Sequence, residues 1–444
     1  MTIIAARFTQ GEIAPHIMKM ALTNMVSLSV FFCVDLITIY FVSLLNHAHL
    51  VAAIGYASAI LFFTHSLTIA FMIAISAVVG NDIGQGKFHS AKKVTTTALL
   101  LSLTLSLIIS LFIYCFSSFL LSMIGATGEA LAAATVYLKY TVLAFPMIAL
   151  ALSINAVLRV LGKAKTAMLL TVFAGLVNVL LDLLFIFYYQ WEINGAAYAI
   201  VISRAIMLLL GLYYLLSRYQ FVVRLNWAQG KYYATKLARI LMAATTTQLI
   251  TPLSHLYITY EIAKFGAESI AAWVIISRLI PVIFVMLFAM PGAIGPIISQ
   301  NLGAKQLLRV KHTLNYALNF IIKYVLVAAL MVSFLQDELV TLFNAHAETA
   351  TLIRFFCQYI TLSFLFVAIN LVCMSFLNNV GHSSLATRLN IYKILFGVIP
   401  LVSVGAYYGG SVGILIGQAL GNALFALIAL VTCYRILFRL NIDE

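Results

Sequence analysis

The sequence predicts an all-α membrane protein, with twelve transmembrane helices in two pseudo-symmetric six-helix bundles. Three observations point there: a composition too apolar for water, a segregation of basic residues into alternate loops, and a partial self-match at a shift of 219 residues.

Of 444 residues, 64% are hydrophobic and 9% charged, whereas a soluble domain carries about 25% charged residues. Apolar runs long enough to cross a bilayer recur along the chain. Stretches such as 98–116 lack the polar–apolar alternation of a membrane barrel. The expected spans are 20–45, 50–79, 94–122, 131–158, 167–189, 195–216, 240–261, 269–299, 313–335, 349–377, 390–408 and 411–434. The first apolar run lacks the pattern of a cleavable signal and is expected to remain. The cysteines (Cys33, Cys115, Cys357, Cys373, Cys433) include no CxxC pair, so neither a disulfide framework nor a zinc site is expected. They read as small buried hydrophobes.

The basic residues sort by loop. Arg7 and Lys19 precede the first span. Lys87, Lys92 and Lys93 join spans 2 and 3, and Arg159, Lys163 and Lys165 join spans 4 and 5. Arg218, Arg224, Lys231, Lys236 and Arg239 lie between spans 6 and 7, and Lys305, Arg309 and Lys311 between spans 8 and 9. Arg388 and Lys393 flank the start of span 11, and Arg435 and Arg439 end the chain. That places 20 of 26 basic residues on one side, while the opposite loops hold Lys264 with Glu129, Glu192, Glu268, Asp337, Glu338 and Glu348. By the positive-inside bias, both termini are expected in the cytoplasm, in a multi-pass protein of the inner membrane. The same sorting accounts for the net charge of +13 without a nucleic-acid partner.

At the 219-residue shift, Ile39 meets Ile258, Ala52 and Ala53 meet Ala271 and Ala272, and Ser58 meets Ser277. Gly84 meets Gly303, Lys92 meets Lys311, Tyr140 meets Tyr359 and Gly162 meets Gly381. Gly195 and Gly410 open the sixth helices under a shift of 215. Each repeat has an even number of helices, so the two share one orientation. The expected organisation is a first bundle over 1–216, a basic linker over 217–239 and a second bundle over 240–444. Deep carboxylates are confined to the first bundle: Asp35 meets Ser254 and Asp182 meets Leu401, while Glu261 sits at a helix end.

Several segments resemble the MATE (multidrug and toxic compound extrusion) transporters, over essentially the whole chain. They are Asp35 followed by LVAAIGYA, then SAVVGNDIGQGK, LRVLGKAK, NVLLD, GAAYAIVIS and PGAIGPIISQNLGAK. The resemblance implies export of bulky, often cationic compounds in exchange for H+ or Na+. In the DinF-like branch, the coupling pocket uses a first-helix Asp and an Asn-x3-Asp pair on the fifth helix, which match Asp35, Asn178 and Asp182. Three departures stand out. A sixth-helix Thr of that pocket falls on Ile200, and the family's first-helix proline falls near Met20, with Pro15 the proline present. The second-bundle carboxylates of the NorM branch fall near Pro252 and Val367, which argues against a cation site of that kind.

An ionised aspartate at the bilayer centre costs about 2.5–3.5 kcal/mol on insertion scales, so Asp35 and Asp182 read as functional before structural. Asn178 shares a helical face with Asp182; alone it would be interhelical glue as often as a ligand. Tyr137 and Tyr140 are both candidates for the pocket, and the sequence does not separate them. Arg204 and Arg278 read as buried cations in need of partners. Arg204 either pairs with a bundle acid or lines the cavity. His65 and His255 sit mid-span, where packing is the commoner role. Pro281, Pro291 and Pro296 are expected to shape the eighth helix.

No GxxxxGK[ST], HExxH or triad pattern occurs, so ATP hydrolysis and catalysis are not expected of this chain. The expected function is therefore secondary active multidrug efflux by alternating access, with protons as coupling ion and amphipathic or cationic drugs as substrates. No metal or cofactor is expected, and a monomer is. A flippase for a lipid-linked oligosaccharide and a Na+-coupled exporter are the alternatives.

Overall fold

The computed structural model describes residues 6–45 and 47–442. They form twelve helical spans, several of them broken. The first six are α1 (Ile13–Ser43), α2 (Ala48–Gly84), α3 (Phe88–Met123), α4 (Gly128–Leu143 and Phe145–Val160), α5 (Ala164–Asp182, continued by a π turn over Leu183–Tyr188) and α6 (Glu192–Leu212, with a π turn over Tyr213–Arg218). The second six are α7 (Trp227–Ala263), α8 (Ala267–Ile283 and Val285–Gly303), α9 (Leu307–Phe334), α10 (Ala347–Asn379), α11 (383–409) and α12 (411–442). A short helix, Gln336–Leu342, follows α9.

The breaks have local causes. The halves of α4 bend by 42° at Ala144, just ahead of Pro146, where a proline disfavours helical backbone before it. The halves of α8 part at Phe284, three residues after Pro281, whereas Pro291 and Pro296 stay inside the continuing helix. Between α11 and α12 stands Gly410 at φ 57°, ψ −143°, a region open essentially to glycine alone. Beyond it the two helices press backbone to backbone, so that a methyl group on Gly405 would overlap Gly413.

The chain forms two compact units. The first comprises Val26–Leu241 together with Arg7, whose guanidinium donates to the Gly162 carbonyl at 3.4 Å; the second comprises Phe8–Met25 and Met242 onward. Two long helices are therefore shared. The start of α1 belongs to the second unit and its remainder to the first, and α7 is divided the opposite way.

A polar clamp holds each borrowed start, at matched repeat positions. In the first unit, buried Asp82 at the end of α2 accepts from Ser90 at 2.6 Å and pairs with Lys236 of α7 at 2.6 Å. In the second, the 219-shift partners are Asn301 and Arg309. Asn301 donates to the Phe8 carbonyl at 3.1 Å, and Arg309 reaches Asn301 at 2.9 Å, Gly11 O at 2.9 Å and Phe8 O at 3.0 Å.

Three expectations need correction. Cys33 and Cys115 are exposed, and only Cys357, Cys373 and Cys433 are buried. Helix α11 begins at Ser383, not 390, so Lys393 does not flank the span but lies ten residues inside it, at the head of a π turn over Lys393–Val398. Arg278 is not buried but exposed on α8.

Candidate functional site

The first unit encloses a cavity of about 300 Å³, lined by residues of α1, α2, α4, α5 and α6. Its polar lining is Asp35, Thr38, Ser58, His65, Tyr137, Thr171, Asn178, Ser203 and Arg204, set among apolar side chains such as Val30, Ile148 and Met207.

Helical spacing gathers the fifth-helix residues, of which Thr171, Gly175 and Asn178 line this chamber. Thr171, Gly175, Asn178 and Asp182 recur at intervals of three or four and so share a face. Asp35 and Thr38 do the same on α1. Gly175 sets how close the two helices come: a Cβ there would collide with Val30 Cγ1 and lie 3.2 Å from Val34 Cγ2. Only a residue without a side chain permits this approach.

The close approach lets one network span three helices. Asp182 is fully buried, and its Oδ2 accepts from Thr38 Oγ1 at 2.6 Å and Asn178 Nδ2 at 3.0 Å. The amide orientation of Asn178 is fixed by its other end, where Oδ1 accepts from Ser203 Oγ of α6 at 2.8 Å. No donor among the described residues reaches Asp182 Oδ1, although it too is buried. The π turn of α5 starts immediately after Asp182, and such turns recur at functional sites.

Asp35 sits differently. Its side chain is exposed to the cavity and hydrogen-bonds to no other described residue. Arg204 lines the same chamber near enough to act electrostatically on Asp35 and Tyr137, without a salt bridge to either acid within 4.0 Å among the described residues.

The structure separates residues that the sequence left level. Tyr137 is buried and lines the cavity, whereas Tyr140 packs on Tyr198 at 5.0 Å, outside the chamber lining. His65 is in the lining; His255 packs on Trp273 at 5.3 Å. Glu261, at the end of α7, is closed in an ion pair with Lys264 at 2.8 Å, which holds that ammonium's pKa above its ordinary value.

Two residues of the network were not anticipated. Thr38 lies three residues after Asp35, a spacing that places it on the same face and was available as a signal. Ser203 carries no spacing signal of its own; Ile200 also lines the cavity, and its carbonyl accepts the Ser203 hydroxyl at 3.0 Å. The hydroxyl expected from the sixth helix is present one turn further along.

Comparison with known proteins agrees with this architecture. The MatE family model matches residues 24–184 and again 243–403, two stretches offset by the same 219 residues as the internal repeat. A FAD transporter of Shewanella oneidensis is 26% identical over 431 residues, covering 94% of this chain and 93% of its own. The multidrug export protein MepA of Staphylococcus aureus is 22% identical over 440 residues, covering 98% and 97%. Among solved structures, the Vibrio cholerae MATE transporter VcmN in its bent form superposes with a TM-score of 0.90 at 24% identity, over 97% of this chain and 98% of that one. A MOP superfamily transporter from Pyrococcus furiosus gives 0.92 at 20% identity over 99% of each. With both halves matched, the chain belongs to the MatE family of membrane transporters.

Proposed function

We propose that the protein is a secondary active exporter of amphipathic or cationic small molecules, driven by proton exchange, with Asp35, Asn178 and Asp182 as its protonation site. The supporting observation is Asp182: a fully buried carboxylate with two donors on Oδ2 and none on Oδ1. Oδ1 is the atom with room for a proton.

Asp35, open to the cavity, receives the proton from the outer side, and the cavity-lining Thr38 and Asn178 connect it to Asp182 buried behind them. Neutralising a carboxylate removes the cost of holding its charge out of water. It also weakens the charge-assisted bonds that tie Thr38 of α1 to α5. The helices are then free to repack, and a protonated state that favours a different packing shifts the conformational balance. Deprotonation toward the cytoplasm resets the carrier. Arg204 and Tyr137 complete the polar wall of the chamber. The multidrug export relative supports a drug-like cargo, and the FAD transporter relative supports a wider range.

The test is efflux of ethidium from proteoliposomes under an imposed pH gradient, with Na+ varied separately. Asp35→Asn is expected to insert and fold but to lose pH-driven export, and Asp182→Asn to lose it similarly or somewhat less. Wild-type coupling in Asp35→Asn makes that residue structural and places the proton path elsewhere. Dependence on Na+ in place of pH identifies the other coupling ion.

A further inference from the structure

The second unit holds a deep cation at a position where the first unit has an alanine. Helix α11 starts at Ser383 and α5 at Ala164, 219 residues apart, so the repeat register holds at this point. In that register Lys393 stands at the position of Ala174, and Asn390 at that of Thr171; both first-unit residues line the cavity. The cavity aspartate Asp35 has Ser254 as its counterpart, and His65 has Phe284. The second unit thus lacks the acid and the imidazole at their matched positions and carries an ammonium and an amide in place of Ala174 and Thr171.

Lys393 lies ten residues inside its helix, about 15 Å from the start. It is half-buried, and its ammonium donates to the Oδ1 of buried Asn370 at 3.5 Å, the limit of a hydrogen bond. No carboxylate among the described residues lies within ion-pair distance of it. An ammonium has three N–H donors, and intramembrane cations ordinarily pair with an acid or with carbonyls. Lys393 also heads the π turn of α11, just as Asp182 directly precedes that of α5.

We propose that Lys393, beside Asn370, recognises the phosphate of an anionic small molecule within the second unit. This rests on the transport reading above and narrows the cargo to phosphate-bearing amphiphiles, alongside or in place of cations. The phosphate is carried either by a soluble solute or by a lipid headgroup.

Flavins offer a matched probe, because riboflavin and riboflavin 5′-phosphate differ only in the phosphate. Binding to the full-length protein in phosphatidylcholine nanodiscs is read by flavin fluorescence, without any ion gradient. The wild type is expected to bind the phosphate form and FAD at least about ten-fold tighter than riboflavin, as a hydrogen bond to a charged group confers. Lys393→Gln erases that preference, leaves riboflavin binding and thermal stability unchanged, and Lys393→Arg retains the preference. Adding phosphatidylglycerol distinguishes the sources: displacement of the flavin phosphate assigns the site to lipid headgroups, and no displacement assigns it to soluble phosphates. A wild type that binds none of the three flavins or shows no preference, or a preference that survives Lys393→Gln, overturns the proposal. Equal weakening of all three with lower stability makes Lys393 a packing residue and also overturns it. Failure of the proton-coupling reading shows separately, in pH-driven ethidium efflux by Asp35→Asn, which leaves flavin-phosphate binding intact.

Discussion

Gly175→Ala tests whether the close approach of α1 and α5 builds the site. The new Cβ would overlap Val30 Cγ1 outright and sit 3.2 Å from Val34 Cγ2, against about 3.5–4.0 Å for carbon atoms in contact. Either Val30 yields or α1 moves away. Overpacking of this kind costs about 1–3 kcal/mol. A retreat of α1 by about 1 Å, the size of that overlap, carries the Thr38–Asp182 bond, now 2.6 Å, past hydrogen-bonding range. Losing a bond to an ionised group adds about 1.5–3 kcal/mol. The measurements are thermal stability in detergent and pH-driven ethidium efflux in proteoliposomes. Both are expected to fall in Gly175→Ala and to recover in Gly175→Ala combined with Val30→Ala, since contacting positions couple by about 0.5–3 kcal/mol. Wild-type stability and efflux in the single variant, or no recovery in the double, refutes the idea that this contact positions Thr38.

Further outcomes follow from the same geometry. Tyr137→Phe is expected to reduce pH-driven efflux several-fold while Tyr140→Phe leaves it unchanged, because only Tyr137 lines the chamber; equal effects in transport assays would contradict this. Asp82→Asn is expected to lower stability by about 1–3 kcal/mol, moderate for a buried acid because Lys236 is partly exposed to solvent screening. Unchanged unfolding in detergent would show that the clamp on α7 is dispensable. Glu261→Gln is expected to leave coupled transport intact, since Glu261 is closed in a pair with Lys264; abolished efflux in an inserted, folded variant would move coupling into the second unit. A reporter fused at Glu444 is expected to read cytoplasmic, and a periplasmic signal would reverse the proposed orientation.

The helices and the repeat were legible because apolar run length and loop charge are one-dimensional signals. Asp35, Asn178 and Asp182 were legible for a related reason: a carboxylate in an apolar span is costly and therefore conspicuous. What the sequence concealed was partnership across helices. Nothing in the linear spacing links Ser203 to Asn178, because that bond depends on how α6 packs against α5. Lys393 was misplaced for a different reason. A lysine lowers the hydropathy of any window that contains it, so the expected start of α11 slid to 390 and turned an internal cation into a flanking one. The glycine match at Gly162 and Gly381 already marked the true start, since α5 and α11 each begin two residues after it.

Matched positions with unlike chemistry separate what folds this chain from what gives it function. The clamp on α7 uses Asp82, Ser90 and Lys236, whereas the clamp on α1 uses Asn301, Arg309 and backbone carbonyls. One is an ion pair with a buried acid and the other a guanidinium on neutral acceptors, yet each secures the start of a shared helix. The architecture therefore tolerates a change of charge wherever the hydrogen bonds can be rebuilt. Close packing is less forgiving: the Gly175–Val30 and Gly405–Gly413 contacts leave no space for a methyl group. For the deep charges the logic differs again. Asp35 and Lys393 are not tied into strong local bonds, so neither is explained by holding the fold. On the two proposals above, a charge kept deep in a membrane without a fold-level partner is accounted for by its ligand: a proton for Asp35, and an anion for Lys393.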